Sequence, residues 1–186
     1  QDLGRPGLAR FGVTPGGALD RRALLLGNCL LGNEPDAAAL EITLTGPTVG
    51  FSAPAVVAVT GADLGGLLNG NAVPLWCPTR VAAGDELRFD STAAGAGARA
   101  YLCVAGGIDV ESVLGGRGTD LVGGFGGWQG RALVAGDELP IGEPALPVAQ
   151  FLRKRLATEP PPIRAYTVAR VLLVPQGDRG LECEIV

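Results

Sequence analysis

The chain has 186 residues, of which 47% are apolar, and its mean hydropathy is +0.29. This size and composition suit a domain with a buried core and exclude a disordered chain. The 19 acidic residues outnumber the 15 basic ones, so the net charge is −4 and no basic face for nucleic acid is expected. No apolar run approaches about 18 residues free of glycine, proline or charge, so we expect no membrane span.

The chain contains no histidine and four widely spaced cysteines. The lack of histidine excludes Ser-His-Asp and Cys-His nucleophilic sites, imidazole bases and His-ligated metals. Chemistry would then depend on carboxylates, arginines, tyrosines, backbone amides or Lys154, the only lysine. No CxxC pair occurs, so we expect neither a disulfide framework nor a metal site, and a reduced, cytoplasmic setting.

The first 20 residues are rich in glycine yet carry Asp2 and Arg5 beside the apolar Leu3 and Phe11. A frayed end rarely holds so many apolar side chains. We therefore predict an ordered loop that packs against the core and lines a site.

A helix is predicted from Ala18 to Leu31. Its apolar residues recur at helical spacing, and Asp20 in the first turn favours the helix dipole. Gly32-Asn33 and then Pro35 end it.

Strands follow, because the period changes to two at residues 40–45. A fully apolar strand is predicted at 55–60, and Asn69-Gly70-Asn71 predicts a hairpin turn. The repeated AGDEL sequence at 83–87 and 135–139 is interpreted as two hairpins of one type. Short strands roughly every 8 to 12 residues after one helix predict an all-β barrel or sandwich. We favour a closed barrel, since closure removes exposed sheet edges.

The stretch at 99–121 is the main candidate for a site. An apolar strand, Ala100 to Ala105, leads into a loop interrupted by glycines, whose backbone N–H groups are free to face a ligand. The loop carries charges of both signs, including those of Asp109, Arg117 and Asp120. The alternative is a structural crossover whose glycines only satisfy turns, and the pattern alone does not decide between the two.

Two further features have alternative interpretations. Asp63 ends a buried strand, so it either caps a turn or contributes a site carboxylate. The segment GGFGGWQG at 123–130 is either a flap whose aromatic rings close over a planar ligand or a loop that tucks both rings into the fold.

Several motifs together resemble the biotin-dependent carboxyltransferase family. They are QDLGRPG at 1–7, GALD at 17–20, GN at 32–33, LEITLTGP at 40–47, VTGAD at 59–63, RAYLCVAGGIDV at 99–110, GGRGTDL at 115–121 and GRALVAGDELP at 130–140. That family includes allophanate-hydrolase-subunit-2-like proteins, the carboxyltransferase domain of urea amidolyase and the C subunit of bacterial 5-oxoprolinase.

The resemblance implies a cyclophilin-like closed β-barrel, usually paired with a second barrel region and a partner subunit. Family members are longer at both ends, so we expect this chain to be the N-terminal half. We divide it into a barrel domain at 1–142, a Pro-rich linker with a short basic helix at 143–165, and the start of a truncated second region at 166–186.

Relatives often carry a Ser-Arg-Ser-Thr-Asp run where this sequence has Gly116-Arg117-Gly118-Thr119-Asp120, which removes two hydroxyl groups. No Met-Lys-Met-like biotinylation site is present either. The resemblance therefore implies that ATP or carboxybiotin, where the reaction needs them, is supplied through partner subunits and is not bound covalently here.

The first functional hypothesis is part of an enzyme complex that acts on a small amide or lactam, by 5-oxoproline hydrolysis or by carboxyl transfer to urea-like substrates. Its expected partners are a paired barrel subunit and a lactam-utilisation-type subunit. The candidate catalytic residues are Asp63, Arg117 and Asp120, and the candidate substrate-binding residues are Asp2, Arg5, Asp109 and Thr119. The alternative is a non-catalytic regulatory protein that pairs with a partner barrel subunit, as in antagonism of a histidine-kinase inhibitor.

Overall fold

A computed structural model describes residues 1–89 and 97–145 of the chain. Within these residues it has one α-helix, one 3₁₀ helix and eight strands. The 3₁₀ helix is Ala9–Phe11 and the α-helix, α1, is Arg21–Leu30; the strands are β1 Leu40–Thr43, β2 Thr48–Gly50, β3 Ala55–Gly61, β4 Gly66–Leu68, β5 Asn71–Ala72, β6 Thr79–Val81, β7 Glu86–Phe89 and β8 Arg99–Val104.

Helix α1 confirms the prediction, although it is shorter than the predicted range. Its N-cap is Asp20, whose carboxylate accepts a hydrogen bond from the Ala23 N–H at 2.9 Å. A carboxylate at this position satisfies one of the free N–H groups of the first turn and also favours the helix dipole. Leu19, which falls within the predicted range of the helix, precedes the cap and is 72% exposed.

The strands form two antiparallel sheets of four strands each, in the orders β1-β8-β3-β6 and β2-β7-β4-β5. The mainly β fold with one N-terminal α-helix is therefore confirmed over the described residues. The closed barrel is not: β1 and β6 are the edges of the first sheet, and β2 and β5 are the edges of the second.

The core has two main clusters, one on each face of the first sheet. Val56 and Ala58 of β3 pack toward α1, whereas Val57 and Val59 pack toward the second sheet. Because successive strand residues point to opposite faces, an apolar run buried on both sides is the expected sequence of a central strand. Each fully buried Val or Leu contributes about 1.5–3 kcal/mol to the free energy of unfolding.

The predicted Asn-Gly hairpin is confirmed, with β4 paired to β5 across Asn69-Gly70. The hairpin interpretation of the first AGDEL segment is wrong, because β6 and β7 belong to different sheets and the turn carries the chain from one sheet to the other.

Both AGDEL segments instead build the same turn. Asp85 accepts from the Ala82 N–H, and Asp137 accepts from the Val134 N–H, at 2.7 and 2.8 Å. In each turn the aspartate N–H also donates back to the carbonyl three residues earlier, at 3.2 Å. The repeat therefore encodes a local turn and not a strand pairing.

Among the described residues, no helix has the length and apolar character needed to cross a membrane.

Candidate functional site

The glycine-rich loop after β8 is held against the N-terminal segment of the chain. Gln1 and Ala39 exchange both backbone hydrogen bonds, at 2.7 and 2.9 Å, which fixes the first residues beside the start of β1. The Ile108 N–H donates to the Ala38 carbonyl at 3.0 Å, which brings the loop to the same place. The two segments singled out in the sequence therefore meet.

Asp2 lies at the contact between them and is only 4% exposed. Its carboxylate accepts from the Gly4 N–H at 2.8 Å and from the backbone N–H of Arg117. Both carboxylate oxygens of Asp2 therefore accept hydrogen bonds from backbone N–H groups, which is a structural role.

Arg5 is 2% exposed and is bound almost entirely to loop carbonyls. Its Nε donates to the Val113 carbonyl at 2.7 Å, and its Nη2 donates to the carbonyls of Gly116 and Gly118 at 3.2 and 2.6 Å. The guanidinium also lies over the Phe125 ring, 5.0 Å from the centroid, a favourable cation–π geometry. The substrate-binding roles of Asp2 and Arg5 stay predictions, and the geometry favours a role in shaping the loop.

Asp120 is 8% exposed and accepts three hydrogen bonds. They come from the Thr14 hydroxyl at 2.6 Å and from the N–H groups of Gly123 and Val122 at 2.8 and 3.1 Å. The Thr14 hydroxyl, followed by the Gly123 N–H, lowers the pKa of the Asp120 carboxyl. A carboxylate stabilised in this way is a weak base. Its catalytic role stays a prediction that the geometry does not favour.

Arg117 differs from these three residues because its terminal nitrogens have no hydrogen-bond partner among the described residues. Its Nε donates to the Val110 carbonyl at 3.1 Å, and its side chain is half-buried. Arg117 forms no salt bridge with a carboxylate of the described residues. It lines both clefts that adjoin the loop.

The larger cleft, which we name the β1 groove, has a volume of about 580 Å³ and runs along strand β1. Its wall is mostly apolar, with Leu40, Ile42, Val110, Trp128 and Leu139, and its charged lining side chains are Glu41, Arg117 and Arg131. The smaller cleft, of about 240 Å³, is lined by acidic side chains and by the backbone near Gly106 and Gly107.

The remaining predicted residues are divided among different places. Thr119 lines the β1 groove, whereas Asp109 is exposed on the wall of the smaller cleft. Asp63 lines neither cleft, and its carboxylate accepts from the Gly65 N–H at 2.9 Å, as a turn cap does.

Sequence reasoning missed Glu41, which lies on the β1 groove. Its carboxylate accepts hydrogen bonds from the Tyr101 hydroxyl at 2.7 Å and from the Leu19 N–H at 2.9 Å. Its Oε1 also lies 3.5 Å from the Nε of Arg99, which forms a salt bridge. Burial, followed by the hydrogen bond to Glu41, raises the pKa of Tyr101 above its ordinary value. Glu41 and Tyr101 are directly opposite in the β1–β8 pairing, so recognising that pairing was the signal needed to find them.

The aromatic residues of the 123–130 segment are tucked into the structure. Phe125 lies against Arg5, and Trp128 packs on the small apolar cluster of Ala38, Ile108 and Val110. No group of three or more potential metal ligands occurs within residues 1–89 and 97–145, and the three described cysteines, Cys29, Cys77 and Cys103, are unpaired.

Comparison with known proteins identifies relatives of this arrangement. The chain is 46% identical over 143 residues to the C subunit of 5-oxoprolinase from Escherichia coli, a match that covers 77% of this chain and 46% of that protein. It is 40% identical over 136 residues to urea amidolyase of Saccharomyces cerevisiae, a match that covers 73% of this chain and 7% of that protein. The crystal structure of K. lactis urea amidolyase superposes with a TM-score of 0.73 at 39% identity, over 79% of this chain and 9% of that chain.

The chain thus spans about half the length of the 5-oxoprolinase C subunit and a much smaller share of the urea amidolyases. A family model described as the carboxyltransferase domain, subdomain A and B, matches residues 11–182, which is nearly the whole sequence. With the sequence motifs, the matching fold and this model in agreement, the chain belongs to the carboxyltransferase domain A and B family.

Proposed function

We propose that this chain is part of an enzyme complex that acts on a small amide or lactam. The observation that carries the proposal is the 46% identity to a 5-oxoprolinase C subunit over 143 residues, a length close to that of the whole described fold. Hydrolysis of 5-oxoproline is therefore the first reaction to test, and carboxyl transfer to a urea-like substrate is the second.

Arg117 is the residue best placed for such chemistry. Opening a lactam or transferring a carboxyl group develops negative charge on an oxygen atom, and a fixed guanidinium stabilises that charge. Arg117 is held at its Nε by Val110 and has its terminal nitrogens available beside the β1 groove. Thr119, on the same groove, is proposed as a substrate contact.

The next proposal concerns ATP and carboxybiotin, which we assign to other subunits of the complex. Phosphate groups bind well at uncapped helix N-termini, but the N-terminus of α1 is already capped by the Asp20 carboxylate. On the basis of the family resemblance, ATP is proposed to bind on a partner subunit. Carboxybiotin, where it is used, would be delivered by another chain, with Arg117 as the basic group available to a carboxylate.

Exposed apolar side chains support the presence of partners. Leu121 is 66% exposed, Val122 is 95% exposed and Val134 is 60% exposed, all on the loops near the β1 groove. We propose a paired barrel subunit and a lactam-utilisation-type subunit as the partners, a cytoplasmic location, and a closed cyclophilin-like barrel in the complete protein.

The test is reconstitution with the subunits encoded beside this chain, followed by an assay of ATP-dependent 5-oxoproline hydrolysis. Activity should disappear when this chain is omitted, and the Arg117→Ala variant should abolish turnover while assembling normally. Arg80→Ala, an exposed arginine on β6, is the matched control and should keep full activity. Turnover that is unchanged without this chain would contradict the proposal.

The same exposed apolar surface also supports the second candidate function, a regulatory protein that binds a partner barrel subunit without catalysis. In that case the reconstituted complex would form, yet it would neither hydrolyse 5-oxoproline nor carboxylate urea. Assembly without turnover therefore distinguishes the two functions.

A further inference from the structure

We infer that Glu41 is a ligand-binding residue of the β1 groove, whose carboxylate accepts a hydrogen bond from the N–H group of an amide-type ligand. This inference rests on the proposed function and adds a specificity-determining residue to the same site. It does not choose between a lactam and urea, because both carry an N–H group beside their carbonyl.

Glu41 is the carboxylate that the described part of the chain places on this groove, since no other acidic residue described there lines it. The acidic residues that share a cleft with Arg117 on its other side line the smaller cleft; they are Glu34, Asp36, Asp109 and Glu143. The other carboxylates predicted from the sequence have structural partners. Asp63 caps a turn, and Asp2 and Asp120 each accept hydrogen bonds from backbone N–H groups.

The Glu41 carboxylate is held through one oxygen, and its other oxygen keeps the capacity to accept. Oε2 accepts from both the Tyr101 hydroxyl and the Leu19 N–H. Oε1 accepts no hydrogen bond from the described residues, because its contact with the Arg99 Nε at 3.5 Å is a salt bridge in which that Nε forms no hydrogen bond. A carboxylate oxygen has two lone pairs, so Oε1 can accept an N–H from a ligand.

The open oxygen is also fixed in place. Glu41 and Tyr101 are directly opposite in the β1–β8 pairing, and Tyr101 is fully buried, so the hydroxyl that holds Oε2 has a rigid base. The Glu41 side chain is only 17% exposed. Because its position is set before binding, a ligand that uses Oε1 orders little additional side chain.

Glu41 lies within the reach of a small ligand from the residues already proposed for the site. The Gln1 side chain donates to the Thr119 carbonyl at 3.1 Å, and the Gln1 backbone is paired with Ala39. Ala39 and Glu41 are two residues apart on extended backbone, roughly 7 Å. An amide group with a hydrogen bond of about 2.9 Å at each end covers a similar length. One small amide can therefore direct its carbonyl toward Arg117 and its N–H toward Glu41.

The test compares two ligands, 2-pyrrolidinone and γ-butyrolactone, on the full chain by NMR titration. They share a five-membered ring and a carbonyl, but the lactone has a ring oxygen in place of the N–H and cannot donate. We expect 2-pyrrolidinone to bind roughly tenfold to hundredfold more tightly, the range of one hydrogen bond to a charged group. The ¹³C resonance of the Glu41 carboxyl, assigned from its loss in Glu41→Gln, should move only with 2-pyrrolidinone.

The variants assign the preference to Glu41. Glu41→Gln keeps the shape of the side chain but replaces one oxygen by an NH₂ donor, so the affinity ratio of lactam to lactone should fall to about one or below. Glu86→Gln, at an exposed position of β7, is the matched control and should keep the wild-type ratio. Equal affinities in the wild type would overturn the inference, whether or not the Gln variant folds. An unchanged ratio in Glu41→Gln, or no binding of 2-pyrrolidinone, would do the same.

The outcome is separable from that of the proposed function because binding is measured without turnover. Glu41-dependent selectivity for the N–H group, in a chain whose reconstituted complex hydrolyses nothing, would remove the proposed function and keep the inference. Turnover by a complex whose selectivity is the same with Glu41→Gln would do the reverse.

Discussion

The Asp2 carboxylate accepts a hydrogen bond from the backbone N–H of Arg117, a residue 115 positions later in the chain. The same carboxylate also holds the Gly4 N–H at 2.8 Å. The side chain with the available guanidinium is therefore positioned through a buried acid in the N-terminal segment.

Replacing Asp2 should destabilise the protein and disturb Arg117 together. Asp2→Ala leaves two buried N–H groups without acceptors, which we expect to lower the free energy of unfolding by about 2–4 kcal/mol. Urea denaturation measures this loss, with the exposed Asp36→Ala as a control that should stay within about 0.5 kcal/mol of wild type. A loss as small as that of the control would show that the Asp2 contacts contribute little.

Two glycines of the 123–130 segment provide a matched pair of substitutions. Gly124 and Gly126 both have positive φ, at 67° and 70°, so alanine at either position costs about 1–2 kcal/mol in backbone conformation. A Cβ at Gly124 meets open space, whereas one at Gly126 would overlap Arg5 Nη2 and the Gly118 carbonyl. We expect Gly126→Ala to lower the midpoint of thermal unfolding much further than Gly124→Ala. Similar midpoints would argue against the tight contact between Arg5 and this segment.

Gly118 lies beside an acceptor that has no partner among the described residues. Gln1 Oε1 is buried without a hydrogen bond, and a Cβ on Gly118 would lie 2.6 Å from it. Serine, which the family resemblance suggests here, would bring a hydroxyl donor once the Gln1 side chain shifts. Gly118→Ser should therefore be more stable than Gly118→Ala by about 0.5–1.5 kcal/mol in urea denaturation. Equal stabilities would indicate that the hydroxyl finds no acceptor.

The lowered pKa of Asp120 makes the loop sensitive to acid. A folded-state pKa below the unfolded value of about 3.9 adds stability above that pH, and the contribution is lost as the pH falls through the folded-state pKa. The difference in unfolding free energy between wild type and Asp120→Asn should therefore shrink from neutral pH to about pH 2.

The Thr14 hydroxyl is the largest cause of that shift. In Thr14→Val the pKa of the Asp120 carboxyl, followed by ¹³C NMR, should rise toward its ordinary value. An unchanged titration curve in this variant would assign the shift to the backbone N–H groups instead.

Local sequence chemistry predicted the elements whose stability is local. The helix of residues 21–30 follows from apolar spacing and from Asp20 as a cap, and the central strand β3 follows from an uninterrupted apolar run. The two AGDEL turns share a hydrogen-bond pattern because each aspartate accepts from the N–H three residues earlier, within its own turn. The sheet that each strand joins depends on distant partners, so the hairpin interpretation of the first AGDEL segment did not hold.

The location of the candidate site could be predicted from the sequence, but the role of each of its residues could not. Glycines and mixed charges marked the 115–120 loop and the first five residues, and the two lie together. Nothing in the sequence around Arg5 shows that its donors are taken by carbonyls more than 100 positions away. The sequence does not distinguish the role of Arg5 from that of Arg117. Only their burial and hydrogen-bond partners show that Arg5 holds the loop and that Arg117 faces the groove.

The hydrogen bonds from Arg5 to three carbonyl groups couple the folding of the N-terminal segment to that of the 113–118 loop, although the two are far apart in the chain. Releasing the loop would leave three carbonyl groups and the buried Arg5 guanidinium without hydrogen-bond partners at the same time. Local fraying of the loop is therefore suppressed, and its opening becomes a cooperative event. The hydrogen-bonded amide protons of Val113, Gly116 and Arg117 should then exchange with solvent at nearly the rate set by global unfolding. Cleavage of the backbone between the first five residues and α1 would therefore loosen the β1 groove, although the cleavage point does not line that groove.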